Sequence, residues 1–159
     1  MATWRIGALV IGILVLIAYI ALSGKWVTTN AGWYLALNAP GWQPPNWVFG
    51  VIWPYNFLML GVAAVLVALR AAPHMVVVFL ACFTVSVTFA VLWAYRFYVD
   101  HALTSAAACL TLAALLTIPV LVSAFATEPW LGWVLVPYQI WVLLATSLSW
   151  GYAALNSSA

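Results

Sequence analysis

Five long apolar stretches dominate the chain, and short groups of polar or charged residues separate them. The stretches lack the strict alternation of apolar and polar positions, in segments of about ten residues, that marks a transmembrane barrel. Each comes close to the roughly 20 residues that an α-helix needs to cross the hydrocarbon core of a bilayer. The pattern therefore predicts five membrane-spanning helices, at about residues 6–22, 47–69, 74–95, 102–124 and 130–152.

The composition places the whole chain in a membrane. Charged residues make up 4% of the 159 residues, apolar residues make up 69%, and the mean hydropathy is +1.17. Soluble domains carry about 25% charged residues, so the composition excludes a water-soluble enzyme and a disordered chain. The four basic residues are spread along the chain and form no patch that would hold nucleic acid. We expect one all-α integral membrane domain over residues 1–159, a multi-pass bundle of five transmembrane helices.

The first apolar stretch also has features of a cleavable signal segment. Arg5 precedes the stretch, and Ala21-Leu22-Ser23 follows it. The apolar core of a signal segment is usually only about 7–15 residues long, whereas this run is about 17 residues long. The length favours a helix that is retained in the protein.

The predicted connection between the first two spans is long and rich in Gly, Asn, Pro and Trp. It extends from Ser23 to Asn46. A connection of this length in a compact bundle is usually functional or disordered, and its aromatic content argues against disorder. Pro44 and Pro45 restrict the backbone. We therefore predict a long Trp/Pro-rich loop that forms a stiff lid over one mouth of the bundle, with a belt of interfacial aromatic residues as the alternative.

Few side chains in the spans can support acid–base or metal chemistry. Asp100 and Glu128, the only acidic residues, lie at helix ends, so no buried carboxylate pair is available. His74 and His101 bracket the third span about 40 Å apart, too far to bind one haem together. No cluster of Cys and His indicates a metal, and no cofactor is predicted. We interpret the tryptophan indoles as the main redox-active and light-absorbing groups of the interior.

Helical spacing places aromatic residues on common faces of three predicted spans. Residues at i, i+3 and i+4 share one face of a helix. The faces consist of Trp53, Asn56 and Phe57 on the second span, Phe89, Ala90 and Trp93 on the third, and Tyr138, Trp141, Ala145 and Ser149 on the fifth. If they meet inside the bundle, they line a mainly aromatic cavity that suits a flat, apolar ring system. The alternative is that these side chains only fill the bundle or face lipid.

Two motifs lie far apart in the chain. The first comprises Trp33-Tyr34, Leu37, Pro40, Trp42, Pro44-Pro45, Trp47-Val48-Phe49 and Trp53. The second comprises Val136-Pro137-Tyr138-Gln139-Ile140-Trp141 and Ala145-Thr146-Ser147-Leu148-Ser149. Together they resemble the signature of the tryptophan-rich sensory protein (TspO/MBR) family, whose animal members are the translocator protein or peripheral-type benzodiazepine receptor. The five spans and the chain length agree with that resemblance.

The resemblance implies a receptor or sensor that binds porphyrins or related tetrapyrroles inside the bundle. The residues expected to contact the ligand are Trp33, Tyr34, Trp42, Trp53, Asn56, Phe57, Ala90, Trp93, Tyr138, Trp141, Ala145 and Ser149. Trp53 and Trp141 match positions implicated in porphyrin binding and photochemical breakdown in bacterial relatives. They would therefore be the catalytic residues of the alternative, a light- and oxygen-dependent porphyrin-degrading enzyme. A transporter of tetrapyrroles or sterols is the third possibility.

The third span also carries a stripe of small residues. The stripe consists of Cys82, Ser86, Ala90 and Ala94. Small residues permit close helix approach within a chain or between chains. Relatives often dimerise through this helix, so the resemblance implies a homodimer through the stripe, with internal packing as the alternative. The expected partners are the tetrapyrrole and membrane lipid, not nucleic acid, and we expect a bacterial rather than a mitochondrial membrane.

Overall fold

Residues 2–27 and 31–157 are described by the structure, a computed structural model, and they form six helices. The helices are α1 (Thr3–Val27), α2 (Ala31–Ala36), α3 (Asn46–Arg70), α4 (Pro73–Tyr98), α5 (Leu103–Thr127) and α6 (Pro129–Leu155). All except α2 are long and apolar enough to span a membrane, and none of the described residues forms a strand. The prediction of an all-α protein with five spanning helices is confirmed.

Most of the spanning helices extend beyond the apolar stretches that predicted them. Helix α1 ends at Val27 rather than near residue 22, and α4 ends at Tyr98 rather than near residue 95. The last turn of α1 contains Lys25, and the last turn of α4 contains Arg96. Long basic side chains keep their charge in water while their stems cover apolar surface. The helices can therefore continue through the polar edge of the membrane, where hydropathy no longer indicates them.

The connection between α1 and α3 is shorter than the predicted Trp/Pro-rich loop from Ser23 to Asn46, and it contains a helix. The structure therefore does not show the predicted long loop. The first residues of the predicted loop belong to α1, residues 31–36 form α2, and residues 28–30 lie outside the described residues. The sequence Ala-Gly-Trp-Tyr-Leu-Ala of α2 contains good helix formers, and Pro40 soon after it prevents continuation. We call residues 31–45, which comprise α2 and the Pro-rich segment after it, the lid.

The spanning helices form a ring in the order α1, α4, α5, α6, α3. The most extensive interfaces join α4 to α5 and α5 to α6. Gln139 of α6 contributes to the second interface, since its amide nitrogen donates to the Ala114 carbonyl at 3.1 Å and its amide oxygen accepts from the Thr117 hydroxyl at 2.6 Å. A buried amide in lipid surroundings requires such partners.

Asn56, near the centre of α3, is also a buried amide, but unlike Gln139 it lacks hydrogen-bond partners in the described part of the chain. Its side chain is fully buried, and neither its amide nitrogen nor its amide oxygen has a hydrogen-bond partner among the described residues. Burial of an amide without partners is unfavourable, because the hydrogen bonds that the group makes in water are lost.

The small-residue stripe of α4 faces the inside of the bundle, not a surface that a second copy could reach. Ser86, Ala90 and Ala94 are buried within the chain, and only Cys82 is partly exposed. The Ser86 hydroxyl donates to the Ala113 carbonyl of α5 at 3.0 Å. Because these side chains are small, α4 can pack closely within the bundle, and the stripe contributes to packing within the chain. Three of the four residues of the predicted homodimer stripe are thus buried within the chain, and the homodimer itself stays a prediction.

The six charged side chains lie at the two ends of the bundle. One end carries Arg5, Arg70 and Glu128, and the other carries Lys25, Arg96 and Asp100. An ion pair of 3.1 Å is present at each end, Arg70 with Glu128 and Arg96 with Asp100. The membrane interior thus carries no charged side chain, as the sequence predicts.

Arg5 ties the start of α1 to the end of α3. Its guanidinium donates to the carbonyl of Ala68 at 2.8 Å and to the carbonyl of Ala71 at 3.1 Å. The last carbonyls of a helix lack partners within the helix and carry the negative end of its dipole. Arg5 therefore satisfies both the hydrogen-bonding and the electrostatic requirements of this helix end.

Replacing Arg5 with methionine should lower the free energy of unfolding by about 1.5–3 kcal/mol, the usual contribution of hydrogen bonds to a charged group. Thermal unfolding in detergent micelles measures the change. Arg70→Met is the matched control, because its exposed ion pair with Glu128 should contribute about 1 kcal/mol or less. An equal loss in both variants would show that charge at this end, not the helix cap, stabilises the bundle.

Candidate functional site: an aromatic cavity beneath the lid

A cavity of about 370 Å³ lies within the ring, at the end that the lid covers. Its volume falls in the range of about 300–1,000 Å³ that is typical of sites for small molecules. All six helices contribute to its wall, and ten of its 21 lining residues are aromatic. The described lining residues include no charged side chain. Such a wall suits an apolar ligand with flat rings.

The cavity brings together eight of the twelve predicted site residues. These are Tyr34, Trp53, Phe57, Ala90, Trp93, Trp141, Ala145 and Ser149. The other four, Trp33, Trp42, Asn56 and Tyr138, do not line it. The four lie in the lid or deeper in the bundle, and each has a different structural role.

Trp53 of α3 and Trp141 of α6 meet in the cavity wall. Their rings lie edge to face, with centroids 6.3 Å apart and planes at 88°. Phe49 contacts Trp141 edge to face at 5.1 Å, and Phe57 stacks on Trp53 at 5.4 Å. The indole nitrogen of Trp141 is buried and has no hydrogen-bond acceptor among the described residues. The neighbouring side chains enclose this nitrogen, so Trp141 presents its ring rather than its N–H group to the cavity.

Hydrogen-bonded polar groups of the cavity lie mainly beneath the lid. The Tyr152 hydroxyl of α6 lies 3.2 Å from the Tyr34 hydroxyl of α2, and it is also hydrogen-bonded to the side-chain oxygen of Gln43. One turn before Tyr152 on α6, the Ser149 hydroxyl accepts a hydrogen bond of 3.1 Å from the Trp93 indole nitrogen of α4. The cavity therefore has a polar edge towards the lid and an aromatic interior.

Several hydrogen bonds hold the lid on the end of α6. The backbone nitrogen of Asn38 donates to the side chain of Asn156 at 2.9 Å, and the Asn156 amide nitrogen donates back to the Asn38 carbonyl at 3.1 Å. The Trp42 indole donates to the Ser147 hydroxyl at 3.3 Å. Trp42 is itself 56% exposed, so it anchors the lid and does not contact the cavity.

Trp33 attaches the other side of the lid to the turn between α4 and α5. Its ring stacks on the His101 ring, with centroids 3.8 Å apart and planes at 12°, and it contacts Phe97 at 5.9 Å. His101 adopts a φ of 56°, in the left-handed region that residues other than glycine rarely occupy. Trp33 therefore positions the lid and lies outside the cavity.

The remaining two predicted residues, Asn56 and Tyr138, lie below or behind the cavity. Consecutive helical residues are rotated by about 100°, so Asn56 and Phe57 flank Trp53 on opposite sides. Phe57 faces the cavity and Asn56 faces the buried interior. Tyr138 lies about 4.5 Å deeper than Trp141 along α6 and interacts with the side chain of Tyr19.

Sequence analysis missed the contributions of α1 and of the last turns of α6. Tyr19 lines the cavity from α1, and Tyr152 lines it from α6. Tyr19 is the only aromatic residue between residues 5 and 25, which marks it in an otherwise aliphatic span. Tyr152 extends the stripe of Trp141, Ala145 and Ser149 by one more turn. Both signals are present in the sequence and indicate these positions.

The fold and the cavity together define a five-span integral membrane protein with an internal aromatic cavity. A sequence profile of the TspO/MBR family matches residues 9–155, and the chain belongs to that family. The family consists of membrane proteins of the sensor and receptor type, in agreement with the sensory and translocator names that its members carry.

Individual relatives match over most of their length. The tryptophan-rich sensory protein of Cereibacter sphaeroides is 30% identical over 88% of this chain and 90% of its own length. Protein CrtK of Rhodobacter capsulatus is 31% identical over 82% of each chain. The human translocator protein is 28% identical over 74% of this chain and 71% of its own length.

Proposed function

We propose that this protein is a membrane receptor that binds a porphyrin or a related tetrapyrrole in the aromatic cavity. The observation that supports the proposal is the composition of the wall, which presents the indoles of Trp53, Trp93 and Trp141 and no charged side chain. Aromatic faces stack favourably on a large, flat ring system.

The polar edge of the cavity suits a ligand with acidic substituents. Tyr34, Gln43 and Tyr152 lie at this edge. Hydroxyl and amide groups can donate hydrogen bonds to carboxylates. An amphipathic tetrapyrrole would thus place its rings among the indoles and its carboxylates towards the lid.

Titration of the purified protein with protoporphyrin in the dark tests the proposal through the shift of the porphyrin absorption bands. We expect saturable binding by the wild type and binding about tenfold weaker in the Trp53→Phe/Trp141→Phe double variant, which loses indole area in the cavity wall. Trp133→Phe is the matched control, because Trp133 is 68% exposed on the outside of α6. Absence of saturable binding, or equal binding by the double variant, would refute the proposed site.

A light- and oxygen-dependent porphyrin-degrading enzyme is the second candidate function. The position of both Trp53 and Trp141 in one wall favours it, since a bound pigment would contact two oxidisable indoles. Illumination of the same samples in air distinguishes it from a receptor. Loss of the porphyrin bands that depends on Trp53 or Trp141, with binding in the dark retained by a single variant, would assign the enzymatic function.

Driven transport has less support than binding. Ion-coupled transporters usually carry an ionisable acidic or basic residue near the middle of the membrane, and the described cavity wall has none. For the location we propose a bacterial membrane, because relatives such as those from Cereibacter sphaeroides and Rhodobacter capsulatus are bacterial.

A further inference from the structure

A second apolar space lies on the outer side of the bundle, between α1 and α3. This groove has a volume of about 460 Å³ and is lined by Ile13 and Leu16 of α1 and by apolar residues between positions 57 and 66 of α3. Leu58, in its wall, is 63% exposed. The groove lies within the membrane-spanning part of both helices, so lipid acyl chains are its natural surroundings.

Phe57 belongs to both the groove and the internal cavity. On the cavity side its ring stacks on Trp53, with centroids 5.4 Å apart and planes at 27°. It also contacts the Tyr19 ring edge to face at 5.4 Å. At this depth, therefore, the Phe57 side chain lies between the space that faces lipid and the aromatic cavity.

The packing of α1 on α3 explains why an aromatic side chain separates the groove from the cavity at Phe57. At one end of the interface the helices approach so closely that a Cβ on Gly12 would lie 3.1 Å from the Cβ of Ala64. Farther along, aromatic rings of Tyr19, Trp53 and Phe57 occupy the interface. Large rings in place of glycine and alanine require a wider separation of the helix axes. The interface there consists of side chains that can rotate.

Two parts of the cavity boundary, the lid and the contact at Phe57, differ in what holds them in place. The lid is held by hydrogen bonds from Asn38, Trp42 and Asn156 and by the stacked ring of Trp33. No described hydrogen bond joins α1 to α3 around Phe57. Rotation of a phenyl ring between staggered conformations breaks no hydrogen bond and is fast compared with movement of a segment. The passage at Phe57 is therefore the easier one to open.

We propose that Phe57 is a gate through which an apolar ligand dissolved in the bilayer passes from the groove into the cavity. This inference rests on the proposed function, since the ligand that passes the gate is the tetrapyrrole that the cavity binds. Its hydrophobic rings partition into the membrane and reach the groove without leaving lipid. The gate gives Phe57 a role in the rate of binding that is separate from its contact with the bound ligand.

Stopped-flow binding of protoporphyrin to the protein in lipid nanodiscs tests the gate. Phe57→Ala should raise both the association and the dissociation rate by about tenfold, with a smaller change in the dissociation constant, and Phe57→Trp should slow both rates. Leu115→Ala, a truncation of an exposed residue of α5 that lines neither the groove nor the cavity, should leave both rates unchanged. An unchanged association rate in Phe57→Ala would overturn the proposal, because a mere wall contact affects only dissociation.

A second measurement does not depend on porphyrin binding. In vesicles of lipids brominated on their acyl chains, Phe57→Ala should increase the quenched fraction of tryptophan fluorescence, because a chain can then reach Trp53. The increase should be absent when Trp53→Phe is added. If wild-type protein does not bind protoporphyrin but the quenching follows this pattern, the proposed function fails and the gate stands. If the quenching does not increase, the gate is refuted whatever the ligand.

Discussion

Replacing Gly151 with leucine should weaken binding of the cavity ligand by about tenfold or more, because the new side chain displaces the lid. Gly151 of α6 lies directly beneath the lid. A Cβ at this position would lie 2.7 Å from the Cγ of Pro40 and 2.9 Å from the ring of Trp42. The Pro40 ring cannot give way without movement of the lid backbone, so the hydrogen-bonded polar edge over the cavity is lost.

The same protoporphyrin titration measures the effect, and the chain offers a close control. Gly50, in the first turns of α3, is also a helical glycine, but a Cβ there would meet nothing within 4 Å. Gly50→Leu should therefore bind as the wild type does. Wild-type affinity in Gly151→Leu would show that the lid is not required to retain the ligand.

Replacing Asn56 with leucine should raise the free energy of unfolding by about 1–3 kcal/mol, the cost of a buried polar group without partners. Leucine has the same branching at Cγ and needs no hydrogen bond, and its larger methyl groups add apolar contacts around α3. Thermal unfolding in detergent micelles should show a higher midpoint.

Gln139→Leu makes the same chemical change where the amide is satisfied. It removes the hydrogen bonds to Ala114 and Thr117, so it should lower the unfolding free energy by about 1–2 kcal/mol. The contrast in sign between the two variants isolates the effect of hydrogen bonding. A loss of stability in Asn56→Leu would mean that an internal water satisfies the Asn56 amide.

Hydropathy was sufficient to predict the number and approximate position of the spanning helices. It reports where a helix is surrounded by hydrocarbon, and five apolar stretches of suitable length allow one architecture. It does not report where a helix ends, because α1 and α4 continue past Lys25 and Arg96. Hydropathy also does not detect α2, because this helix of 6 residues is too short to form an apolar span and lies in a segment with Gly and Pro.

The aromatic cavity was predictable as a set of helix faces but not residue by residue. The spacing of Trp53, Asn56 and Phe57 defines a face about 100° wide, and the cavity occupies only one side of it. Which side of this face contacts the cavity depends on how α3 is rotated about its axis relative to its neighbours. That rotation follows from tertiary contacts such as the 2.8 Å hydrogen bond from the Tyr55 hydroxyl to the Val134 carbonyl, which no local pattern encodes.

Trp33 and Trp42 show a different limit. Both belong to the motif of aromatic residues near the cavity, and both lie in the lid. Their partners, His101 and Ser147, are far away in sequence. Whether the indoles point into the cavity or hold the lid in place therefore depends on contacts that form only in the folded chain. A tryptophan-rich motif thus indicates the region of a site more reliably than it assigns contacts.

The even division of basic residues between the two ends of the bundle has a consequence for membrane insertion. Cells orient multi-pass proteins largely by keeping the end richer in Lys and Arg in the cytoplasm. Here Arg5 and Arg70 balance Lys25 and Arg96, so neither orientation is favoured by this charge rule. One added lysine in the turn before α4 or in the turn before α5 would break the tie. By this charge rule, a single substitution of that kind would decide on which side of the membrane the lid lies.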